Sequence, residues 1–398
     1  MKIAIIREEK NPPDSRVPLA PSQVAELIKK GYQIEVQRSP NRCFKDSEYE
    51  ELGIPMIDTI TDQEFLLGVK EVPVENILEG KTYFMFSHTI KEQPYNAKLI
   101  QTIIKRKSTL VDYEVLVDSN DKRVIAFGKF AGMVGAHNAM YTYGKQTAKY
   151  DLPRMKDLDD YESAKKIYST LTLPNARIVL TGTGRVSNGA ALVLEDMGVK
   201  KVTPASFLKD KHEQAVFTQL SSFFYAKRKD GKVFENIQNF YDYPSQYESD
   251  FHHYVDQADI FINGIYWHPE APAFFTTEQM KAKDFSIKVI ADVTCDIAPE
   301  ASVPSTLRPS TIADPIYGYD PKTESEISPF SGGIDVMAVD NLPNELPKDA
   351  SRAFGNMFIT QVLTPQENGD DSVIKRGTIV NKGELTERFN YLKAYANQ

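Results

Sequence analysis

Cysteine is scarce: only Cys43 and Cys295 occur, and neither sits in a Cys-x-x-Cys or Cys/His cluster. A disulfide-built secreted scaffold and a zinc-finger framework are therefore excluded. No uncharged apolar run reaches the roughly 18 residues that a membrane span needs, so none is expected. The opening run Met1-Lys2-Ile3-Ala4-Ile5-Ile6-Arg7 meets charge too early for a signal-peptide core, and a cytoplasmic protein is the expectation. Positive charge is in deficit, 47 Lys and Arg against 55 Asp and Glu, for a net charge of −8. That argues against nucleic acid or an anionic membrane as the main partner. A small anionic substrate remains compatible with it, because screening confines exposed charges to about 10 Å and a local cluster of arginines and lysines can dominate.

What is present is an ordinary globular balance, 41% apolar and 26% charged over 398 residues. At about 150 residues per domain that length suggests two or three domains. Ile3–Ile6, Gln33–Gln37, Phe65–Val69, Tyr83–Phe86 and Thr109–Val115 read as strands, with Ser22–Lys30 and Asn96–Lys105 as helices between them. Strands alternating with helices predict a doubly wound α/β domain with a parallel sheet. A charged, helical connection over Asp151–Ser169 leads to a second unit of the same kind. Its expected strands are Ala176–Leu180, Val199–Thr203, Asp259–Ile262, Ile287–Ala291 and Asp335–Ala338, with a helix over Val186–Met197. Lys211–Asp250 fits this scheme less well, and Lys227–Val233 with Asp230-Gly231 suggests a hairpin inserted on the sheet's rim. A long helix over Leu346–Val362 should end at Pro365.

Between the strand Arg177-Ile178-Val179-Leu180 and the helix lies Thr181-Gly182-Thr183-Gly184-Arg185-Val186-Ser187-Asn188-Gly189. Gly182 and Gly184 suit a tight turn that lets backbone approach a pyrophosphate, and the helix behind supplies unpaired N–H groups. Ser187 stands where the usual third glycine falls, and a purely structural strand-to-helix turn fits the same residues. A NAD site normally carries an acid about 20 residues on, at the end of the next strand. Ser206 occupies that position; Asp210 is within reach from the loop, and Lys209 and Lys211 would suit a 2′-phosphate instead. NAD is expected, with weakened discrimination against NADP.

Two strands of the first domain run into titratable residues: Leu66-Leu67-Gly68-Val69 into Lys70-Glu71, and Phe84-Met85-Phe86-Ser87 into His88. The carboxyl ends of parallel strands share one edge, where α/β folds gather their sites. A lysine and a histidine there could move protons in amine or imine chemistry; a surface lysine and a satisfied core histidine fit the same pattern. Arg16 and Arg123 are candidate clamps for a substrate carboxylate. His137, His212, His252, His253 and His268 lack ligand spacing with nearby carboxylates or thiols, read as structural or surface residues, and no metal is expected.

Taken together, these segments resemble lysine-forming saccharopine dehydrogenase of the alanine dehydrogenase/transhydrogenase cofactor-subunit superfamily. The resemblance runs along almost the whole chain. It is carried by Gly68-Val69-Lys70-Glu71-Val72-Pro73, Phe86-Ser87-His88-Thr89-Ile90-Lys91-Glu92-Gln93, Val111–Leu116 and Arg123–Gly132. Asp259–Tyr266, Ala291–Asp296, Val339-Asp340-Asn341-Leu342-Pro343 and Leu346–Ser351 continue it.

The resemblance implies two Rossmann-like doubly wound domains with an interdomain cleft: residues 1–140 with 344–398 for catalysis, and 141–343 for the dinucleotide, with an insert near 211–250. It implies Lys70 and His88 as the acid–base pair. Arg16, Gln93 and Phe127 would contact the amino-acid substrate, and Thr294, Cys295 and Asp296 would line its side of the cleft. Arg123, Gly184, Arg185, Tyr266, Val293, Val339, Asp340, Asn341 and Leu342 would contact the dinucleotide. Ser206 departs from the family's ribose-binding acid. The implied reaction is reversible oxidative deamination of saccharopine to lysine and 2-oxoglutarate with NAD. Two rivals stand beside it: alanine dehydrogenase-like reductive amination of a small 2-oxo acid, and a dinucleotide-binding protein without catalysis. The partner expected is a small-molecule amino-acid substrate, with no nucleic acid and no membrane, and monomer and homo-oligomer are both open.

Overall fold

A computed structural model describes residues 2–397. The chain forms two compact units, Met1–Phe127 with Pro347–Gln398, and Gly128–Leu346. The boundaries differ from the expected 140 and 343 for a physical reason. Gly128–Thr147 is one unbroken helix, so a division at 140 would cut it. Its small and apolar residues are buried around most of its circumference and leave no stripe for periodicity to detect.

In the first unit, β1 (Lys2–Ile5), β2 (Gln33–Gln37), β3 (Met56–Ile57), β4 (Phe65–Leu67), β5 (Thr82–Met85) and β6 (Thr109–Asp112) are all parallel, in the order β6-β5-β4-β1-β2-β3. The C-terminal strand Thr378–Asn381 pairs antiparallel with β6 and closes that edge with Glu384–Leu385. One face buries Ala4, Leu66, Tyr83, Met85 and Leu110 against Leu99, Ile100 and Ile103 of the helix Ala97–Lys105. On the other, Phe354 packs against Phe86, Tyr113 and Phe127, with ring centroids 6.1, 4.9 and 4.8 Å away. Phe354 lies on Pro347–Phe358, which continues through a π-helical turn at Ile359–Leu363 into Thr364–Glu367. Pro365 therefore does not end the helical path. It follows directly on the π-helical turn, where the regular i to i−4 bonding is already interrupted.

The second unit has β7 (Arg177–Thr181), β8 (Lys200–Lys201), β9 (Val216–Leu220), and a separate antiparallel pair β10 (Ala226–Arg228) and β11 (Tyr247–Ser249). It continues with β12 (Ile260–Asn263), β13 (Val289–Asp292), β14 (Ile316–Asp320), β15 (Ser325–Ile327) and β16 (Ile334–Met337). The main sheet runs β15-β14-β16-β13-β12-β7-β9-β8, parallel except for β14 and β15. Two expectations fail here. The strand expected at Val199–Thr203 shrinks to β8, because Thr203 caps a new helix that opens at Pro204. The insert's turn at Asp230-Gly231 exists, with Gly231 at φ 72, but the partner of β10 arrives only at Tyr247.

The helix Gly128–Thr147 crosses the helix Arg185–Asp196 almost backbone to backbone. A Cβ on Gly132 would lie 1.7 Å from the Val186 carbonyl oxygen, and one on Gly189 would lie 2.0 Å from that of Lys129. Gly189 thus serves helix packing.

Candidate functional site

The carboxyl ends of β1, β4, β5 and β6 share one edge of the first sheet. After β1 the chain supplies Glu8, Lys10, Asp14 and Arg16; after β4, Lys70 and Glu71; after β5, His88. Glu71 is the hub. One carboxylate oxygen lies 2.6 Å from His88 Nδ1, and the other accepts from Lys10 Nζ at 2.9 Å. Burial alone would raise the Glu71 pKa, yet the bond and charge of His88 and the bond from Lys10 bring it down to about 2. An ionised carboxylate can only accept, so a neutral His88 ring carries its hydrogen on Nδ1 and presents Nε2 as a base. His88 is in the left-handed backbone region at φ 52, a conformation costing about 1–2 kcal/mol outside glycine. Burial also lowers the Lys70 pKa, and the neighbouring Arg16 charge adds to it against the opposing pull of Asp14 and Glu71. The structure therefore brings Lys70 and His88 to neighbouring strand ends, with His88 bonded to Glu71 and Lys70 sensing that carboxylate through charge.

Arg16 and Asp14 form a buried bidentate pair, Nε to Oδ1 at 2.9 Å and Nη2 to Oδ2 at 2.5 Å, with side chains 3% and 2% exposed. The guanidinium also covers the Phe127 ring at 4.2 Å. One edge of the expected carboxylate clamp is thus engaged by Asp14. Gln93 accepts from the Tyr95 hydroxyl through its side chain and from Tyr395 through its backbone. Arg123, expected at the dinucleotide, belongs to the first unit, where its Nε donates to the Ile125 carbonyl at 2.8 Å and its Nη1 is 3.7 Å from Glu114.

The second unit gathers the other candidates on the carboxyl edge of its own sheet. Gly182, Gly184 and Arg185 follow β7; Tyr266 follows β12; Val293, Thr294, Cys295 and Asp296 follow β13; Val339, Asp340, Asn341 and Leu342 follow β16. Gly182 takes φ 95, which only glycine adopts without strain. Ser187 fills the third-glycine position by donating its hydroxyl to the Thr181 carbonyl at 2.7 Å beneath the turn. The outer side stays open: a Cβ on Gly184 would meet nothing within 4 Å, and the helix N-terminus there has no side-chain cap. An uncapped N-terminus behind an open glycine turn fits a pyrophosphate. Leu342 is buried, whereas Tyr266 is 85% exposed. Asn263, at the end of β12, donates to Asp292 and Ser302, and Asp292 accepts from Thr306, a buried network beneath Thr294–Asp296. Cys295 donates to the Ala338 carbonyl, and burial pushes its thiol up to about 12, too high for a thiolate role.

Ser206 is not where a ribose would lie. It sits in the helix Pro204–Lys209, and the strand beside β7 is β9. The Gly182 amide donates to Leu220 O at 2.8 Å, and Gln219 Nε2 reaches the Gly182 carbonyl at 3.1 Å. The strand end beside the glycine turn is that of β9, followed by Ser221 and Ser222, and it too lacks an acid. Among the histidines, His137 is structural: Tyr168 OH and the Pro153 carbonyl hold both nitrogens, and burial lowers its pKa to about 4. His252 and His253 do approach a carboxylate, Asp250, at 3.8 and 3.9 Å, but Lys227 Nζ is nearer that oxygen at 3.3 Å.

Residues 5–134, which contain Arg16, Lys70, His88, Gln93, Arg123 and Phe127, match the alanine dehydrogenase/PNT N-terminal domain. The chain resembles the saccharopine dehydrogenases of this superfamily. It is 27% identical to "Saccharopine dehydrogenase [NAD(+), L-lysine-forming]" of Neurospora crassa over 90% of both chains. It is 29% identical over 98% of its length to the alpha-aminoadipic semialdehyde synthases of Arabidopsis thaliana and Mus musculus, of which it spans 41% and 47%. Among solved structures, an L-alanine dehydrogenase aligns over 100% of the chain and 99% of its own with a TM-score of 0.69 at 17% identity. A transhydrogenase from Sinorhizobium meliloti aligns over 97% of the chain and 100% of its own with a TM-score of 0.61 at 16% identity. These neighbours share the two-unit α/β, Rossmann-like fold. Among the described residues no helix is long and apolar enough to cross a membrane.

Proposed function

We propose that the protein is a nicotinamide-dependent oxidoreductase acting on the carbon–nitrogen bond of an amino acid, exchanging saccharopine, NAD and water for lysine, 2-oxoglutarate and NADH. The observation that carries this reading is the His88–Glu71 pair at the end of one strand beside a part-buried Lys70, with a lowered pKa, at the end of the next. The saccharopine dehydrogenase relatives, aligned over 90% of the chain, support the choice of substrate class.

Gly182, Gly184 and the helix N-terminus behind them would hold the pyrophosphate of a dinucleotide, which would supply the hydride acceptor for the carbon bearing the secondary amine. His88 Nε2, with Nδ1 tied to ionised Glu71, takes the amine proton as the imine forms. Lys70, its pKa lowered by burial, takes a proton from the water that adds to the imine carbon. Collapse of the carbinolamine breaks the carbon–nitrogen bond, returns a proton to the departing amine and leaves the 2-oxo acid. Arg16 and Phe127 orient the substrate beside the pair. With no acid after β9, NADP should be excluded only weakly.

The test supplies NADH or NADPH with lysine plus 2-oxoglutarate, or with pyruvate plus ammonia, and follows nicotinamide absorbance. Oxidation with the first mixture is expected. Turnover confined to the second would make the enzyme alanine dehydrogenase-like, and binding without any turnover would refute catalysis. Lys70→Met should slow turnover about a hundredfold while leaving NADH affinity nearly unchanged.

A further inference from the structure

Glu8 lies three residues beyond the end of β1, and the acid–base chemistry above makes no use of it. Its carboxyl group nevertheless reaches across to the segment that carries Lys70. One oxygen accepts from the Val69 amide at 2.6 Å and the other from the Lys70 amide at 2.9 Å. The reason lies in how the two strands part. The Ile6 amide still pairs with Leu67 O, after which the β1 chain turns away. On the β5 side the ladder continues, Gly68 donating to Phe84 O and Phe86 to Val69 O. The Glu8 carboxyl takes up the Val69 amide, for which β1 no longer offers a carbonyl, and the Lys70 amide that follows it. Gly68 leaves room for it, since a Cβ there would lie 3.4 Å from the Glu8 oxygen and 3.2 Å from the Ile6 side chain.

We infer that Glu8 is a positioning residue for Lys70, clasping the Val69 and Lys70 amides so that the lysine side chain is held among Arg16, Asp14, Glu71 and Lys10. This rests on the acid–base role proposed for Lys70. Pinning the two amides fixes the point from which the lysine side chain sets out, and the partial burial met along that path disfavours the charged ammonium. Glu8 itself faces Asp14, Arg16 and the Tyr113 ring, and touches none of the substrate candidates except Arg16 through charge.

The experiment is competitive amine labelling of Lys70 across the alkaline range, read by peptide mass spectrometry on the whole protein, for wild type, Glu8→Gln and Glu8→Ala. Wild-type Lys70 should titrate below an ordinary lysine. Glu8→Ala, which loosens the segment and rehydrates the ammonium, should raise that midpoint by about one pH unit. It should also lower kcat about tenfold or more, with KM for NADH within about twofold. Glu8→Gln keeps one acceptor and should fall between, and it carries the test alone should Glu8→Ala not fold. A midpoint unchanged in the variants overturns the proposal, and so does a lower melting temperature with the midpoint unmoved. The labelling needs no substrate: a protein without lysine or 2-oxoglutarate turnover would defeat the proposed reaction while still reporting on Glu8.

Discussion

Replacing Arg16 by methionine should expose how much of the first unit's stability rests on one buried ion pair. Arg16 and Asp14 are 3% and 2% exposed and joined by two bonds in fork geometry. Removing the cation leaves a carboxylate in a site built for a pair, which typically costs about 3–5 kcal/mol. Loss of the guanidinium from the Phe127 face adds about 1 kcal/mol. Against a typical total stability of about 5–15 kcal/mol, such a deficit approaches the threshold of folding. Asp14→Leu in the Arg16→Met background removes the carboxylate together with the guanidinium and should recover most of the loss, because apolar replacements of buried pairs are often near neutral. Urea unfolding followed by hydrogen exchange on peptides of the first unit isolates the effect from the second. A loss under about 1 kcal/mol, or a double variant no more stable than Arg16→Met, would refute the reasoning.

Glu71 and Glu8 should give opposite pH signatures. Glu71, depressed from 4.5 to about 2, contributes stability above its unfolded pKa that is lost as pH falls toward 2, an interval worth about 3 kcal/mol at most. Glu8, raised by burial from 4.5 to about 8, favours the native state below 4.5 and loses that contribution as pH rises through 8. Stability differences between wild type and each glutamine variant, measured by denaturant titration at several pH values, should therefore slope in opposite directions; a shared slope would refute the assignment for whichever residue has the wrong sign. Gly132→Ala should destabilise the second unit by about 1–3 kcal/mol or more through overpacking against the Val186 carbonyl, read as a lower unfolding midpoint by circular dichroism. Ser206→Ala should leave NADH and NADPH affinities within about twofold, whereas Ser221→Asp should weaken NADPH selectively by charge repulsion, both measurable by fluorescence titration.

Most of the parallel strands were readable in the sequence because they are short and nearly continuous apolar runs: β2 matches its expected bounds, and β1, β5, β7 and β12 differ by a residue at either end. Lys70 and His88 were legible for the same reason, as polar residues following such runs. The buried helix Gly128–Thr147 was not, since a helix apolar on every side has no period to find. Ser206 failed for a topological reason. Counting about 20 residues from the glycines assumes that the next strand in sequence lies beside β7, whereas β9 is the neighbour and β8 the outer strand. No count along the chain distinguishes those two orders.

Glu8 illustrates the remaining limit. As a sequence feature it is one acid among Arg7-Glu8-Glu9-Lys10, indistinguishable from a solvated charge run. Its partners are 61 and 62 residues away and become neighbours only because β1 pairs with β4. The same pairing puts Asp14 and Arg16 beside Lys70, so one strand adjacency sets the electrostatics of the whole centre. Glu8 and Glu71 then part company: burial keeps the first protonated near neutrality, while His88 and Lys10 keep the second ionised. Two like carboxyls are thus pushed in opposite directions by their surroundings. Here the division leaves one free to orient a histidine by charge and the other to hold a backbone without adding a negative charge beside Lys70.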